Sequence, residues 1–421
     1  MSRRTEPGTI VTLRRAEQGE STYLAHTSHR AFHSSTVEGW EGWFREHTGV
    51  QRGDTVVAEV EGRRAGNATA LALTMALAGR DIPMWGVAGV SVPPEFRQRG
   101  VADAMMRELL SWMRSRGEAL SMLYAFKLGY YRRFGYGLCE RVEQLRVHPS
   151  QLPGSRLRTH VTEMVPGRDM DTLRSLYERS REGMTGPLAR DDYWWETRAL
   201  GGAPAGVVYR DPGTGEAQGY ALWRVPAQPE FPKQEMHVRE LVALSPEAHE
   251  GLLGFLAAQG EQYAMVTLWT APGQSLPWLV EHGVVDAPAP WLRYDPMGAV
   301  YAGAMARVVD VAAALRLHPS ASRTGQRATF GLDVSDPTLD DVLHLDVNLT
   351  PDAVEVGPGA LAAERLSLGI EGLSQVYLAA TTTAALRASG RLHGSAKAGA
   401  LLERACEGSP LFVGALNAFE P

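Results

Sequence analysis

The stretch Val87–Ala102 constrains this chain more than any other. It reads Val-Ala-Gly-Val-Ser-Val-Pro-Pro-Glu-Phe-Arg-Gln-Arg-Gly-Val-Ala. An alternating apolar strand is stopped by two prolines, and an Arg-x-x-Gly-x-Ala loop then runs into the first turn of a helix. The helix is marked by Val101, Met105, Leu109, Trp112 and Met113 on one face, with Gly117 where a C-terminal cap belongs. Strand, basic loop and helix N-terminus together suit a pyrophosphate. The unpaired first-turn amides and the helix dipole favour an anion, and Gly100 lets the backbone come close to it. The loop lacks the Gly-Lys-Ser/Thr of a Walker motif and the Gly-x-Gly-x-x-Gly of a dinucleotide fold.

At 421 residues the chain is too long for one core and calls for several domains. The opening Met1-Ser2-Arg3-Arg4-Thr5-Glu6-Pro7 leads into no apolar run, and no uncharged stretch approaches a membrane span, so a cytoplasmic protein is expected. Cys139 and Cys406 make neither a disulfide framework nor a zinc site, and the histidines form no metal-ligand grouping, so no metal is expected. Residues 1–150 carry 20 Lys+Arg against 16 Asp+Glu, and the remainder 22 against 32. A basic first third suits a polyanionic cofactor, and acidic surroundings suit a cationic second substrate. No basic stripe is interleaved with aromatics, which argues against nucleic acid.

A first domain is expected over 1–150. It ends with an apolar strand around Ser121–Phe126, the segment Gly129–Gly137 (Gly-Tyr-Tyr-Arg-Arg-Phe-Gly-Tyr-Gly), and a linker at 150–155. A second domain is expected over 151–297, where Glu240–Leu253 echoes Val90–Glu95 and the residues after it. Both arginines are missing from the echo, and His249 and Glu250 precede its glycine, so this copy is expected to bind no anion. Over 298–421 the sequence predicts a helix at Ala304–Leu315 and strands at Ala328–Val334, Val342–Val347 and Ala353–Val356. Helices near 359–366, 371–386 and 396–406 come next. The fold class is α+β.

The Val90–Ala102 motif resembles the acetyl-CoA signature of the GNAT N-acetyltransferases, and Tyr-x-x-Phe-Gly-Tyr resembles the segment that carries their catalytic tyrosine. With the Met305–Val311 segment and the ending Asn417-Ala418-Phe419-Glu420-Pro421, the whole chain resembles the "enhanced intracellular survival" (Eis) family. The resemblance implies tandem GNAT folds, the second degenerate, and a sterol carrier protein-like third domain whose C-terminus reaches the active site. It also implies a homohexamer, with acetyl-CoA as co-substrate and aminoglycoside amines or protein lysines as acceptors.

It implies a mechanism as well. An amine attacks the thioester directly, so one proton must leave the amine and another must reach the departing thiolate. The residues alone leave Tyr130, Tyr131 and Tyr136 open as the acid; the family pattern selects Tyr131. A phenol near pKa 10 can serve a thiolate near 8.5 when held against it. The family's base is the terminal carboxylate, here that of Pro421, with Glu420 as the alternative. Relatives commonly end on an aromatic residue, and a proline lacks that ring and has a fixed φ. For the cofactor, Val90, Ser91 and Val92 are expected to meet pantetheine through their backbones, in the manner of a strand added to a sheet edge. Arg97 with the turn Gln98, Arg99, Gly100, Val101, Ala102 and Asp103 is expected to meet the phosphates. Phe126 and Lys127 are expected to line the mouth, where relatives often carry a small hydroxyl residue at the Phe126 position.

For the amine pocket the first helices offer Ser34 where an aspartate is sought, together with Glu38, Glu41, Trp40 and Trp43. Tryptophans at such spacing, like Tyr193–Trp195, more often build core. Two other functions are compatible with the chain: a protein lysine or polyamine acetyltransferase, and a binder of an apolar ligand through the third domain.

Overall fold

The computed structural model describes residues 10–226, 234–271, 273, 298–320, 327–338, 341–351 and 353–419. They form two units. One holds the chain up to Cys139, Ala304–Ser409 and Phe419; the other holds Glu140–Gly303 and Pro410–Ala418.

In the first unit a seven-stranded sheet grows from long antiparallel hairpins: Val11–Arg15, Asp54–Val60, Arg63–Leu77 and Arg80–Ser91, in that order. Leu120–Leu123 follows in parallel, then Met305–Val308 and Gly137–Leu138. Helix Val101–Ser115 covers one face, burying Val101, Met105, Met106, Leu109, Leu110 and Met113 against Val56, Ala58 and Ala68.

The strand Met305–Val308 replaces the helix expected from Ala304. Four consecutive buried residues and the β-branched pair Val308-Val309 suit a strand enclosed on both faces. The helix starts only at Val311, where the Asp310 carboxylate accepts from the Ala313 N–H at 2.8 Å.

The first boundary also differs from the expectation of 150. Arg141–Val147 pairs with Tyr263–Thr270 and Gly298–Ala302 in the second sheet, where Leu145 and Val147 are core residues. Pro149–Gln151 is not a linker but a 3-10 turn capped by His148 within the second unit. Gly298–Ala302 and Pro410–Ala418, expected in the third domain, belong to that unit as well.

The second sheet runs Gly298–Ala302, Arg141–Val147, Tyr263–Thr270, Gln234–Ala243, Ala217–Arg224, Ala205–Arg210, Val161–Glu163. Its helix Pro246–Ala257 follows Gln234–Ala243 as Val101–Ser115 follows Arg80–Ser91. A buried polar cluster ties the chain's last segment into this unit. Arg190 donates to both oxygens of Glu240 at 2.6 and 3.0 Å and to Asn417 Oδ1 at 2.8 Å, and Tyr220 donates to Glu240 at 2.6 Å.

The third sheet, within the first unit, runs Val354–Pro358, Asp341–Leu349, Ala328–Asp336, Arg365–Gly369, Leu392–Gly394. The helix expected near 359–366 is absent from this region, whose regular element is the strand Arg365–Gly369. Leu366 and Leu368 are buried on one face of it, with Ser367 on the other. The helix expected over 371–386 is two, Ile370–Tyr377 and Thr383–Ala388, parted where Ala379 takes φ +53°.

Replacing one member of the buried Arg190–Glu240 pair should be severe, because the Arg190 side chain has no exposure. Glu240→Gln should cost about 3–5 kcal/mol by leaving a buried charge uncompensated. Urea unfolding followed by tryptophan fluorescence checks this; a change below about 1 kcal/mol would show that the pair is not what holds this region.

Candidate active site

The site grows from one irregularity in the first sheet. Arg80–Ser91 and Leu120–Leu123 pair at Trp85–Ser121 and Gly86–Met122, and beyond that point both strands continue without a shared ladder. On the other edge of Arg80–Ser91 the register shifts between Asn67 and Thr69, which oppose Ser91 and Ala88. This is a β-bulge, and Gly89 takes φ +59° within it. Val90 and Val92 thereby line a cleft of about 900 Å³.

The loop after the strand is anchored by Phe96, which is buried with the Arg63 guanidinium over its ring. Gln98 (φ +65°) and Gly100 (φ +78°) both adopt the left-handed conformation and turn the chain sharply into the helix. Gly100 occupies the N-cap, and no side chain caps this helix. Its first-turn amides have no intrahelical acceptor and open on the cleft at Val101, Ala102 and Asp103. An acyl-CoA fits such a wall: apolar valines along the strand, and at its end a helix terminus made for a phosphate.

Of the expected cofactor contacts, Val90, Val92, Arg97, Gln98, Gly100, Val101, Ala102, Asp103, Phe126 and Lys127 all line the cleft. The expectation for Ser91 concerns its backbone; its side chain turns into the interior, with the hydroxyl within hydrogen-bond distance of Gly89 O at 3.0 Å and of Ser28 Oγ at 2.9 Å, because alternation places it on the opposite face from Val90 and Val92. Arg99 lies over the Phe96 ring. Arg97 also has a local role: it donates to Val92 O at 3.2 Å and Ala31 O at 2.8 Å, tying the strand's end to the end of helix Ser21–Phe32. Phe126 is 78% exposed at the mouth, against the rings of Tyr130 and Tyr131.

The three tyrosines have different surroundings. Tyr130 lines the cleft and donates to Asp103 Oδ1 at 3.2 Å; burial and that carboxylate raise its pKa, keeping the phenol protonated. Tyr136 is fully buried against Ser121 Oγ at 2.7 Å, and burial pushes its pKa up to about 12. Tyr131, on the short helix Leu128–Arg132, is buried with its ring 5.0 Å from that of Tyr130 and 5.8 Å from that of Phe126. The following turn is held from outside. Arg307 donates to Phe134 O, and Gly135 takes φ +76° where a Cβ would collide with the Arg307 guanidinium and with Ile370.

The motifs left two residues unassigned. Arg133 lines the cleft and pairs with Asp103 at 2.8 Å, while its neighbour Arg132 turns to Glu371. The Arg-Arg doublet was legible, but which of the two faces the cleft depends on the phase of a five-residue helix. Phe419 is fully buried at the fork of the strands, 5.3 Å from the Tyr124 ring, and a Cβ at Gly86 would approach its ring to 3.0 Å. Pro421 and Glu420 lie outside the described residues. On the amine side, Trp40 and Trp43 are core, packed on Phe44, and Trp194 and Trp195 are buried in the second unit. Glu41 accepts from Thr22 Oγ1 at 2.6 Å, and Ser34 and Glu38 are exposed.

Comparison with known proteins agrees with this geometry. Residues 12–139 and 186–308 each match an acetyltransferase (GNAT) domain, and 311–413 match a sterol carrier protein domain. An uncharacterized N-acetyltransferase of Streptomyces coelicolor is 30% identical over 348 residues, 77% of this chain and 78% of that protein. N-acetyltransferase Eis of Mycobacterium tuberculosis is 28% identical over 74% of each chain. The chain belongs to the Eis family of GNAT N-acetyltransferases. The crystal structure of Eis1 from Mycobacterium abscessus shares the family fold, with a TM-score of 0.74 at 22% identity over 96% of this chain and 99% of that one. Like that fold, this Eis-family chain combines two GNAT domains with a sterol carrier domain. Its second GNAT helix begins differently from the first: Ser245 caps Pro246–Ala257 by accepting from the Ala248 N–H at 3.1 Å, and Glu247 stands in the first turn.

The bulge makes a direct test. A left-handed Gly89 replaced by alanine should cost about 1–2 kcal/mol of stability and weaken coenzyme A binding, because Val90 loses its aim. Thermal unfolding beside a coenzyme A titration measures both. Undiminished affinity in the folded variant would separate the bulge from cofactor binding.

Proposed function

We propose that this N-acetyltransferase moves the acetyl group of acetyl-CoA directly to an amine of an aminoglycoside or similar polycation. The observation that carries this is the pairing of an uncapped helix N-terminus at Gly100 with a strand that leaves its neighbour at Gly86. One feature offers donors to phosphates; the other offers backbone groups to an extended chain of amides. In the second unit the corresponding helix is capped by Ser245 and no arginine stands in the connection before it, so it is unsuited to the same anion.

Acetyl-CoA supplies an activated acyl group as its thioester. Backbone groups of Val90, Ser91 and Val92 hold the pantetheine, and Arg97 with the 98–103 turn holds the phosphates. Tyr131 gives its phenolic proton to the departing sulfur. Its position supports this choice: the Tyr131 ring stands 5.0 Å from that of Tyr130, which lines the cleft, whereas Tyr136 is fully enclosed against Ser121. The Pro421 carboxylate takes the proton from the amine; an apolar setting would raise its basicity above the ordinary 3.3–3.7 of a chain terminus. Phe419, two residues before the end, supports that reading, because its ring supplies the packing for which relatives use a terminal aromatic residue. A homohexameric assembly follows from the family resemblance, and light scattering checks it; among the described residues no helix is long and apolar enough to cross a membrane.

Thiol release from acetyl-CoA with kanamycin or neomycin as acceptor tests the reading. Tyr131→Phe should lower kcat by about 10²-fold or more with little change in the KM for acetyl-CoA, and loss of Glu420-Pro421 should do the same. Acetyl-CoA binding without release on any aminoglycoside, but with release on lysine peptides or polyamines, would transfer the assignment to those acceptors.

A further inference from the structure

A second cavity of about 710 Å³ opens in the first unit along the helix Val101–Ser115. Arg107, Ser111 and Arg114 are spaced to share one face of that helix, and Arg307 and Thr338 close the cavity from other elements. The wall is electropositive. Arg307 is neutralised by Asp336 at 2.6 Å, but among the described residues neither Arg107 nor Arg114 has a carboxylate partner. Arg107 reaches only Thr338 O, at 3.5 Å, and lies over the Phe134 ring. Among the described residues the single carboxylate on the wall is Glu108, whose Oε1 accepts the Trp112 indole N–H at 2.6 Å.

Among the described residues, two guanidinium nitrogens of the cavity lining, Arg114 Nη1 and Arg307 Nε, are buried without a hydrogen-bond partner. The Arg307 side chain is only 2% exposed. Buried charged donors without acceptors are rare in folded proteins, because the group loses its water and gains nothing in return. Planar guanidinium groups meet their match in multivalent oxyanions, whose oxygens accept several N–H bonds at once.

We propose that this cavity binds a small multivalent oxyanion, bearing phosphoryl or carboxylate groups, through Arg107 and Arg114. The site is separate from the acyl-CoA cleft: the two share no lining residue, although one helix serves both. Arg307 also holds the Phe134 carbonyl, so the variants that test the site leave it in place.

The test is calorimetric titration of the full-length protein with sodium pyrophosphate, and in parallel with sodium citrate, at matched ionic strength in chloride and with coenzyme A present in excess. The expected result is one site per chain. Arg107→Ala and Arg114→Ala should each weaken it by about tenfold, while Arg97→Ala leaves it unchanged. Preference for pyrophosphate or for citrate tells which oxyanion chemistry the site takes. Arg114→Gln, which keeps the inner stem and a polar end but removes the charge, is run beside the alanine variant, and each variant's unfolding midpoint is compared with the parent's. The proposal fails if neither anion binds. It fails equally if coenzyme A displaces the anion, or if a double variant at positions 107 and 114 with the parent's midpoint binds it undiminished.

Discussion

The parting of two parallel strands after Gly86 and Met122 is the constraint on which the rest of the site depends. A sheet that stops sharing hydrogen bonds in its middle leaves backbone donors and acceptors that must find other partners. Three features accommodate the fork. The bulge at Gly89 turns Val90 and Val92 toward the opening, the Phe419 ring fills the crotch beside Gly86, and the cleft beyond is left for a ligand that can pair with a strand. A Cβ at Gly86 would press on Leu73 Cδ1 at 2.9 Å and on the Phe419 ring at 3.0 Å, so the fork favours a residue without one at this point.

The two GNAT domains give an internal comparison of how one scaffold gains or loses an anion site. Each has a strand, a connection and a helix in the same order, yet their helices begin differently. At Gly100 a left-handed residue with no side chain opens the helix, and basic residues precede it. At Ser245 a hydroxyl takes one of the amides, proline follows, and no arginine stands in the connection before the helix. The second terminus satisfies itself; the first is finished only by something brought to it. The difference is three or four side chains on a common fold, which is why fold alone does not assign the activity.

How much of this was legible depends on how local each signal is. The Val87–Ala102 stretch carries its strand, its turn and its helix start within sixteen residues, so both the fold class and the walls of the cleft could be read from it. The tandem arrangement was legible because Pro246-Glu247-x-x-x-Gly251 echoes, one residue shorter, the local pattern Pro94-Glu95-x-x-x-x-Gly100. What failed to show was decided by tertiary contact. Met305-Ala306-Arg307-Val308 has a composition that suits either state, and the gap between Leu120–Leu123 and Gly137–Leu138 makes it a strand. Arg141–Val147 looks like the end of the first domain until its partner Tyr263–Thr270, more than a hundred residues later, is known. Ser91 could be named from the motif, but not the sense of its side chain, which the bulge at Gly89 sets.

That borrowed strand also explains why the sterol carrier domain belongs in the same unit as the first GNAT domain. Met305–Val308 is hydrogen-bonded between two strands of the N-terminal sheet, and Val308 N–H donates to Ser374 Oγ in the C-terminal domain at 2.8 Å. From its centre Arg307 reaches Phe134 O on one side and Asp336 on the other, at 2% and 1% exposure for the charged pair. A buried ion pair is a weak source of stability, since desolvation offsets most of its attraction, but it tolerates few alternative geometries. The turn after Tyr131 is therefore defined by two domains at once. Residues 1–139 alone would lack the strand between Leu120–Leu123 and Gly137–Leu138, would leave two sheet edges unpaired in the interior, and would have nothing to hold the Phe134 carbonyl. The catalytic fold of this family member is complete only with a strand that the chain supplies after the last strand of its second sheet.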